Sequence, residues 1–441
     1  MVGNAFGAMG FPAEAPTVLE FPVAMFDPGS DLTPLKKNID QIVEGLTQWQ
    51  PRTKTKGITP PPPKVRIPGK NYEDTLAQMN LLFLKNQWGD GLPIVPPTPE
   101  RVDWILRGTD SSRDRIVGKV LPRGGIATVE ALAVCLAMAG GRPEYLPVLL
   151  AAVEAMILPG QRHFHLNSTT KSCHPVVVVN GPVARQIRLN SGYGCLGPSS
   201  EYPAGAAIGR ALRLVKLKLG GGVPGKGSMS LFGGPGRYAN AVFAEDEEGL
   251  PPGWNRINAD FGYSQGMNTV IFHNVSGTVN INGTSVGDEA SALKALNLIA
   301  AFMRVPNLNY YFLDTYHGCP GIVLISRSTA RGLAQAGWSK EKIREYLWEN
   351  SKIPWLDVKK LSLGEEARAA GIPEGESLPI TRKPENLMLG VAGGLQGQHS
   401  YWMQMGVSGW PTSAEIRRPE NARWNELLKQ ALKDLGPTPG K

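Results

Sequence analysis

Apolar residues after residue 170 occur in short runs bounded by glycine and proline, a pattern typical of strands in the interior of a sheet. The predicted strands are Val176–Val179, Ala241–Ala244, Thr269–His273, Tyr310–Leu313, Ile322–Ile325 and Leu387–Ala392. The segments between them repeat apolar residues at helical spacing. They predict the helices Ala206–Leu219, Ala290–Met303, Ser339–Asn350 and Trp424–Leu435. This alternation predicts an α/β fold.

The first 160 residues predict helices joined by proline-rich segments. Residues 1–70 form an extended arm in this prediction, with one helix at Pro34–Gln48 and a run of prolines at 60–63 that favours polyproline II. Arms of this kind often wrap a neighbouring subunit, so we expect a homo-oligomer. A helical part follows, with helix starts predicted at Asn71, Thr98, Thr128 and Pro143.

Two segments of the α/β region correspond without gaps at an offset of 146 residues. Residues 173–192 and 319–338 each contain a cysteine, a buried strand, a turn and a helix with Ala-Arg at equivalent positions. We expect two related strand–turn–helix units that face each other across a pseudo-twofold axis, although any two such units look alike. The predicted parts are the arm 1–70, the helical part 71–160, and α/β units at 161–285 and 286–441.

The positive charge of the chain is concentrated in one stretch. There are 46 Lys and Arg against 38 Asp and Glu, and between residues 155 and 244 ten Lys or Arg face one acid, Glu201. Such a field favours a small anionic substrate, although solvated helix faces would explain the same charges. Aromatic residues are not interleaved with the charges, which argues against nucleic acid. No apolar run approaches the ~20 residues of a membrane span, and no secretory signal is visible, so we expect a cytoplasmic protein without a membrane partner.

Four cysteines in 441 residues predict free thiols, metal ligands or catalytic groups rather than a disulfide scaffold. Cys135 lies in an apolar helix and is predicted to be core. Cys173, Cys195 and Cys319 lie at or near predicted loops. Cys195 also follows a glycine-rich turn whose backbone N–H groups suit an oxyanion, so these three are the candidate catalytic thiols.

Two chemistries would follow if the two units bring together Cys173, His174, His317 and Cys319. A cysteine near a histidine and positive charges has a lowered pKa and acts as a nucleophile or redox centre. Two cysteines and two histidines also suit zinc or another transition metal, but they lack Cys-x-x-Cys or His-x-x-x-His spacing. Structurally satisfied side chains are the third interpretation, and all three stay open.

A glycine-rich segment, residues 220–228, resembles a phosphate-binding loop. Gly227 stands where a serine or threonine would bind magnesium, and the segment does not follow a buried strand, so ATP hydrolysis is not expected. Lys226 is instead predicted to bind an anionic substrate, together with Arg185 and Arg237 of the basic stretch.

Several separated motifs resemble the large domain found with the UGSC family, which is named for a Sec-Gly-Ser-Cys tetrapeptide and contains selenocysteine or cysteine redox-like proteins. The matching segments are Gly89–Val102, Gly140–Leu149, His174–Leu214, Ile322–Trp348 and Leu387–Ser400. The resemblance spans roughly residues 70–415. It implies a thiol- or selenol-linked oxidoreductase with an undefined substrate.

This chain lacks the tetrapeptide of that family, since neither Sec-Gly-Ser-Cys nor Cys-Gly-Ser-Cys occurs. Either a small subunit supplies it, or the chain's own loop cysteines replace it, or the chemistry differs. The resemblance implies that His174 and His399 are catalytic and that Asn180 and Asn190 bind substrate. His399 also follows a predicted strand through a glycine-rich turn.

Three functions stay open on the sequence. The first is a thiol-dependent oxidoreductase acting on a small anionic molecule. The second is a metal-dependent lyase or hydrolase, whose metal would be zinc or another transition metal. The third is a non-catalytic scaffold for a small cysteine- or selenocysteine-containing redox subunit.

Overall fold

The computed structural model describes residues 29–48, 64–304, 321–369, 371–406 and 409–437. Within these ranges the chain is a mixed α/β protein in which helices pack on the outside of one curled sheet. The predicted fold class is confirmed. The predicted strand Tyr310–Leu313 and the proline run at 60–63 lie outside the described residues.

Helices and one hairpin make up the described chain before residue 170. They are α1 (Thr33–Lys37), α2 (Ile39–Thr47), α3 (Tyr72–Lys85), α4 (Pro99–Leu106), β1 (Ile116–Val120), β2 (Gly125–Thr128), α5 (Val129–Met138), α6 (Leu146–Ile157) and α7 (His163–Ser168). Asn71, Thr98 and Thr128 each accept a hydrogen bond from the N–H three residues ahead, which satisfies a donor that a helix leaves unpaired. These helix starts agree with the prediction, whereas the hairpin was not predicted.

The chain from residue 174 builds the sheet and the helices that cover it. The first half contains β3 (His174–Asn180), α8 (Pro182–Gln186), α9 (Ala204–Lys218), β4 (Ala241–Ala244) and β5 (Thr269–Asn282). The second half contains α10 (Glu289–Met303), β6 (Ile322–Ile325), α11 (Arg327–Gln335), α12 (Lys340–Asn350), α13 (Trp355–Lys360), α14 (Gly364–Ala369), β7 (Met388–Val391), β8 (His399–Met405), β9 (Thr412–Glu415) and α15 (Asn421–Leu435). The predicted strands and helices that fall within the described ranges are present, except that the single predicted helix Pro34–Gln48 is divided at Asn38 into α1 and α2. β8 and β9 were not predicted.

The sheet has the strand order β4-β3-β5-β8-β6-β7, and β9 pairs with the first part of β5. β3 is parallel to β4 and antiparallel to β5, while β6 is parallel to β7 and antiparallel to β8. β5 and β8 form the central antiparallel pair. On each side of this pair, the next strand is antiparallel to its inner neighbour and parallel to its outer one. β5 joins the halves, because residues 269–275 pair with β3 and residues 275–282 pair with β8.

Both faces of the curled sheet are buried. Val177 and Val179 of β3 pack with α5, α6 and α9 in one core, and β6 and β7 pack with α10, α11 and α12 in a second. Val176 and Val178 face a third core, which the sheet itself encloses. Because successive side chains of a strand point to opposite faces, the unbroken valine run of β3 fits a strand that is buried on both sides.

The helices of the described ranges are short. No single one combines the length and the apolar composition that crossing a membrane requires. The bent pair Pro143–Ile157 and Pro159–Ser168 meets those criteria jointly, and α6 within it is buried in the first core.

Candidate functional site

A cleft of about 790 Å³ lies where the carboxyl ends of β3 and β4 meet the second half of the sheet. Two backbone hydrogen bonds join the halves here. The N–H of Asp246 donates to the carbonyl of Val391 at 2.8 Å, and the N–H of Gly393 donates to the carbonyl of Ser191 at 2.9 Å. α/β proteins commonly bind ligands at the carboxyl ends of their strands, so this cleft is the candidate active site.

Glu245 follows β4 directly, borders the cleft and is only 4% exposed. Its Oε2 accepts hydrogen bonds from Asn180 Nδ2 at 2.7 Å and from the N–H of Ile257 at 2.8 Å. Its Oε1 is buried without a hydrogen-bond partner in the described chain, and so is Asn180 Oδ1. Burial raises the pKa of Glu245, and the positive charge of Lys340 opposes this shift. Buried acceptors without donors are rare in folded proteins, so each calls for an explanation, and a bound ligand or water would supply one here.

The three acids that follow Glu245 each form an ion pair with an arginine. The pairs are Asp246–Arg327, Glu247–Arg256 and Glu248–Arg185, with N–O distances of 2.6, 2.7 and 2.9 Å. Glu247 Oε1 also accepts a hydrogen bond from the N–H of Gly181 at 2.6 Å. The φ of Gly181 is +94°, a conformation that favours glycine, and a Cβ there would lie 2.5 Å from the carbonyl oxygen of Met267.

The arginines that line the cleft are all engaged by other groups. Three of the four form the ion pairs just described. The fourth, Arg188, donates to the carbonyls of Leu435 and Gly436 at the end of α15. Among the described acids that line the cleft, Glu201 and Glu245 form no ion pair with an arginine. Among the described residues that line the cleft, no arginine or lysine therefore offers an unpaired positive charge, and the anionic substrate stays a prediction.

The loop after α8 forms one side of the cleft. Asn190 Nδ2 donates to the carbonyl of Tyr193 at 2.8 Å, and its Oδ1 accepts from the N–H of Gly192 at 2.9 Å. Asn190 thus fixes the shape of this loop. Cys195 is 6% exposed and packs inside the curled sheet, where burial raises the pKa of its thiol to about 12.

Cys173, His174 and Arg237 lie at the other end of β3. This strand has seven residues, which places them roughly 20 Å along the strand from Asn180. Arg237 Nε donates to the carbonyl of Cys173 at 2.7 Å, and its Nη1 donates to Ser228 Oγ at 2.9 Å. The predicted site residues are therefore divided between the two ends of one strand.

The lowered thiol pKa expected beside a histidine and positive charges is wrong for Cys173. Burial raises the pKa of Cys173 to about 11 and outweighs the positive charges of Lys171, Arg237 and Lys216, which act in the opposite direction. Burial, with help from Lys216 and Arg237, lowers the pKa of His174 to about 4. Near neutral pH the pair is therefore a protonated thiol and an uncharged imidazole.

Two other candidates lie outside both groups. His399 is the first residue of β8 rather than part of a loop, and it is exposed beside Asn282 of β5. Lys226 is at the surface, where its Nζ donates to Gln87 Oε1 at 3.2 Å. Neither residue lines the cleft.

The predicted metal site depends on His317 and Cys319, which lie outside the described residues. Within the ranges that the structure does describe, no group of three or more His, Cys, Asp or Glu side chains is arranged to hold a metal ion. The convergence of His317 and Cys319 with Cys173 and His174 stays a prediction.

Glu245 and Arg327 are not among the predicted site residues. The acids 245–248 follow a strand end, where functional loops occur, but four adjacent acids are more often solvated. Glu245 and Arg327 both carry a recognisable signal, because Glu245 is the first residue after β4 and Arg327 begins the helix that follows β6. Polar residues directly after buried strands commonly form the sites of α/β proteins.

Comparisons with known proteins add no relative, since no protein-family model, curated protein or solved structure matches the chain.

Proposed function

We propose that the protein is an enzyme that transfers a proton to or from a small polar molecule in the cleft, with the Glu245 carboxyl as the transferring group. One observation carries this proposal. The carboxyl is buried at the end of β4, two donors hold its Oε2, and its Oε1 has no partner in the described chain. A raised pKa brings a carboxyl closer to the working pH, which is what a general acid or base requires.

Neighbouring groups would hold Glu245 in place while the proton moves. Asn180 Nδ2 lies 2.7 Å from Glu245 Oε2 and 3.1 Å from Glu247 Oε1, so it links the two carboxyls. Lys340 is buried and attracts the charge of Glu245 without forming an ion pair with it. Asn180 is therefore proposed as a positioning residue, while Arg185 and Asn190 shape the rim.

The charges of the cleft support a neutral or amine-bearing substrate. Its arginines are already engaged, whereas Glu201 and Glu245 are free of ion pairs with arginine. Tyr193 and Tyr202 also line the cleft and supply ring faces that attract cationic groups. A volume of about 790 Å³ suits a small organic molecule.

Mass spectrometry of reaction mixtures tests the proposal. Wild-type protein and the Glu245→Gln variant are incubated with a defined mixture of amines, amino acids and neutral sugars, and the compounds are followed over time. We expect wild type to convert at least one compound. We expect Glu245→Gln to be about 100-fold slower or more, because glutamine keeps the hydrogen bonds to Oε2 but cannot transfer a proton.

Glu248→Gln is the matched control. It makes the same change at a half-exposed acid on the edge of the same cleft, and we expect it to retain activity close to wild type. Equal rates for wild type and Glu245→Gln would overturn the role of Glu245. An inactive wild type across the mixture would count against an enzyme for this substrate class.

A second candidate is the thiol-dependent oxidoreductase that the resemblance to the UGSC family implies. The specific observation in its favour is that Lys171, Arg237 and Lys216 all stabilise a Cys173 thiolate electrostatically. Burial alone keeps the pKa of Cys173 high. Exposure to water would remove that penalty and leave the cations to lower the pKa.

Single serine replacements test the thiol candidate. The variants are Cys173→Ser, Cys195→Ser and Cys319→Ser. We expect at least one of them to lose the activity, and three active variants would contradict a thiol mechanism.

The metal-dependent and scaffold functions stay proposals with direct tests. A lyase or hydrolase that uses Cys173, His174, His317 and Cys319 predicts a bound metal, which elemental analysis of the purified protein detects. A scaffold predicts copurification with a small cysteine- or selenocysteine-containing chain. Native mass spectrometry reports that chain and the proposed homo-oligomer together.

We also propose that the halves of the sheet are related strand–turn–helix units. Two observations support this relation. The strand orders β5-β3-β4 and β8-β6-β7 share the same directions. The segments 173–192 and 319–338 also match without gaps.

A further inference from the structure

Three basic side chains lie close enough to interact electrostatically between α9 and the amino end of β3. Arg213 and Lys216 are three residues apart on α9 and so project from the same face of the helix. Lys216 is 7% exposed and Arg237 is 9% exposed, while Arg213 reaches the surface in part. Their charges act on one another, since Arg237 and Arg213 add to the burial that lowers the pKa of Lys216 well below its ordinary value.

No described carboxylate is paired with these three side chains. The groups that raise or lower the pKa of Lys216 and Arg237, apart from burial, are other cations and Cys173. Asp90 attracts Arg213 at longer range. Asp90 is already bound by Arg210, whose Nε and Nη2 lie 2.9 and 3.0 Å from its two oxygens.

The positive charge of Arg237 is not balanced by a described carboxylate. Its guanidinium donates to the carbonyls of Cys173 and Lys171 at 2.7 and 3.4 Å and to Ser228 Oγ at 2.9 Å. All three acceptors are neutral. A buried cation without an anion is costly. The buried Arg237 and the half-buried Arg213 share these surroundings with the Lys216 amine, whose lowered pKa means that it holds its proton weakly unless an anion binds.

We propose that Arg213, Lys216 and Arg237 form a binding site for a small oxyanion of phosphate or sulfate size. The half-buried Arg213 gives the anion access from the surface. Residues 234–236 cover the other side, where a Cβ on Gly236 would lie 2.5 Å from the His174 ring. This site is at the opposite end of β3 from the cleft, and it does not depend on the proton transfer proposed there.

Isothermal titration calorimetry on the full chain tests the site. The titrants are inorganic phosphate, sulfate and glycerol 3-phosphate at constant ionic strength, so that a free ion and a phosphate ester are distinguished. We expect millimolar or tighter binding of at least one titrant to wild type. We expect Lys216→Met to bind it at least tenfold more weakly, which corresponds to about 1.4 kcal/mol.

Lys218→Met is the matched control, because it removes the same charge from the same helix at a side chain that donates to the carbonyl of Gln87. We expect its affinity to stay within about twofold of wild type, since Lys218 is not among the groups that shift the pKa of Arg213, Lys216 or Arg237. Arg213→Gln is the second test variant, since a half-buried position on α9 tolerates the change even if Lys216→Met does not fold. Equal affinities for wild type and the test variants, equal losses in test and control variants, or no millimolar binding by wild type would each overturn the proposal.

Discussion

Arg327 and Asp246 face each other across the junction between the two halves of the sheet. Arg327 Nε lies 2.7 Å from Asp246 Oδ2, and Arg327 Nη2 lies 2.6 Å from Asp246 Oδ1. This two-pronged geometry fixes both distance and orientation. The N–H of Asp246 donates to Val391 and the N–H of Arg327 donates to Gly394, so the pair belongs to a hydrogen-bonded group that shapes the cleft.

Asp246→Asn is expected to lower the free energy of unfolding by about 2 kcal/mol, because it leaves Arg327 without a counter-charge in a mostly buried place. Glu248→Gln removes the exposed Glu248–Arg185 ion pair, and it is expected to lower the free energy of unfolding by only about 0–1 kcal/mol. Urea denaturation measures both values. Equal losses in the two variants would contradict a special role for the junction.

The stability of the protein is expected to depend on pH through Glu245. Burial raises the folded pKa of Glu245 above its ordinary value of 4.5, so the folded state binds the proton more tightly than the unfolded chain does. The stability that this proton contributes is full below the unfolded pKa and is lost as pH rises through the folded pKa. Glu245→Gln imitates the protonated form, so its stability relative to wild type should increase as pH rises. A difference that is constant between acidic and neutral pH would contradict this prediction.

His174 is expected to act in the opposite direction. Its pKa is lowered from 6.5 to about 4, so its contribution to stability is present above the unfolded pKa and is lost as pH falls through the folded one. The full effect corresponds to about 3 kcal/mol. His174→Gln should flatten the fall in the urea midpoint between neutral pH and pH 4, and an unchanged slope would contradict the assignment.

Cys173 and Cys195 are expected to resist alkylation in the native protein. Both thiols are buried, and their pKa values are raised to about 11 and about 12, so little thiolate is present near neutral pH. Iodoacetamide labelling followed by peptide mass spectrometry should give rates roughly 100-fold or more below those of the urea-unfolded chain. Rapid labelling of Cys173 would instead favour the thiol-dependent function.

The strands could be predicted where both of their faces are buried. β3 and β6 are continuous apolar runs, so the sequence carries a clear signal for each. The second half of β5 alternates buried and exposed positions and contains Ser276 and Asn280, so the predicted strand stops at His273. β8 mixes polar and aromatic residues, so it too lacks a continuous apolar run and was not predicted.

The site was harder to predict because residues that are only a few positions apart in the sequence lie at opposite ends of β3. Among the predicted substrate-binding residues, Arg185 and Asn190 line the cleft and Asn180 supports Glu245 beside it. The sequence prediction grouped them with Cys173, whose position before β3 puts it at the opposite end. Residue spacing also cannot show how deeply a side chain is buried, and burial decides the pKa of the described thiols.

β5 gives the protein a property that neither half has alone. Its first part pairs with β3 and its second part with β8, so the halves are not detachable domains. A chain cut between β5 and α10 would leave residues 275–282 as a bare strand edge, which is a template for association. The two fragments are therefore expected to aggregate when expressed separately and to reassemble when expressed together, as a split protein does.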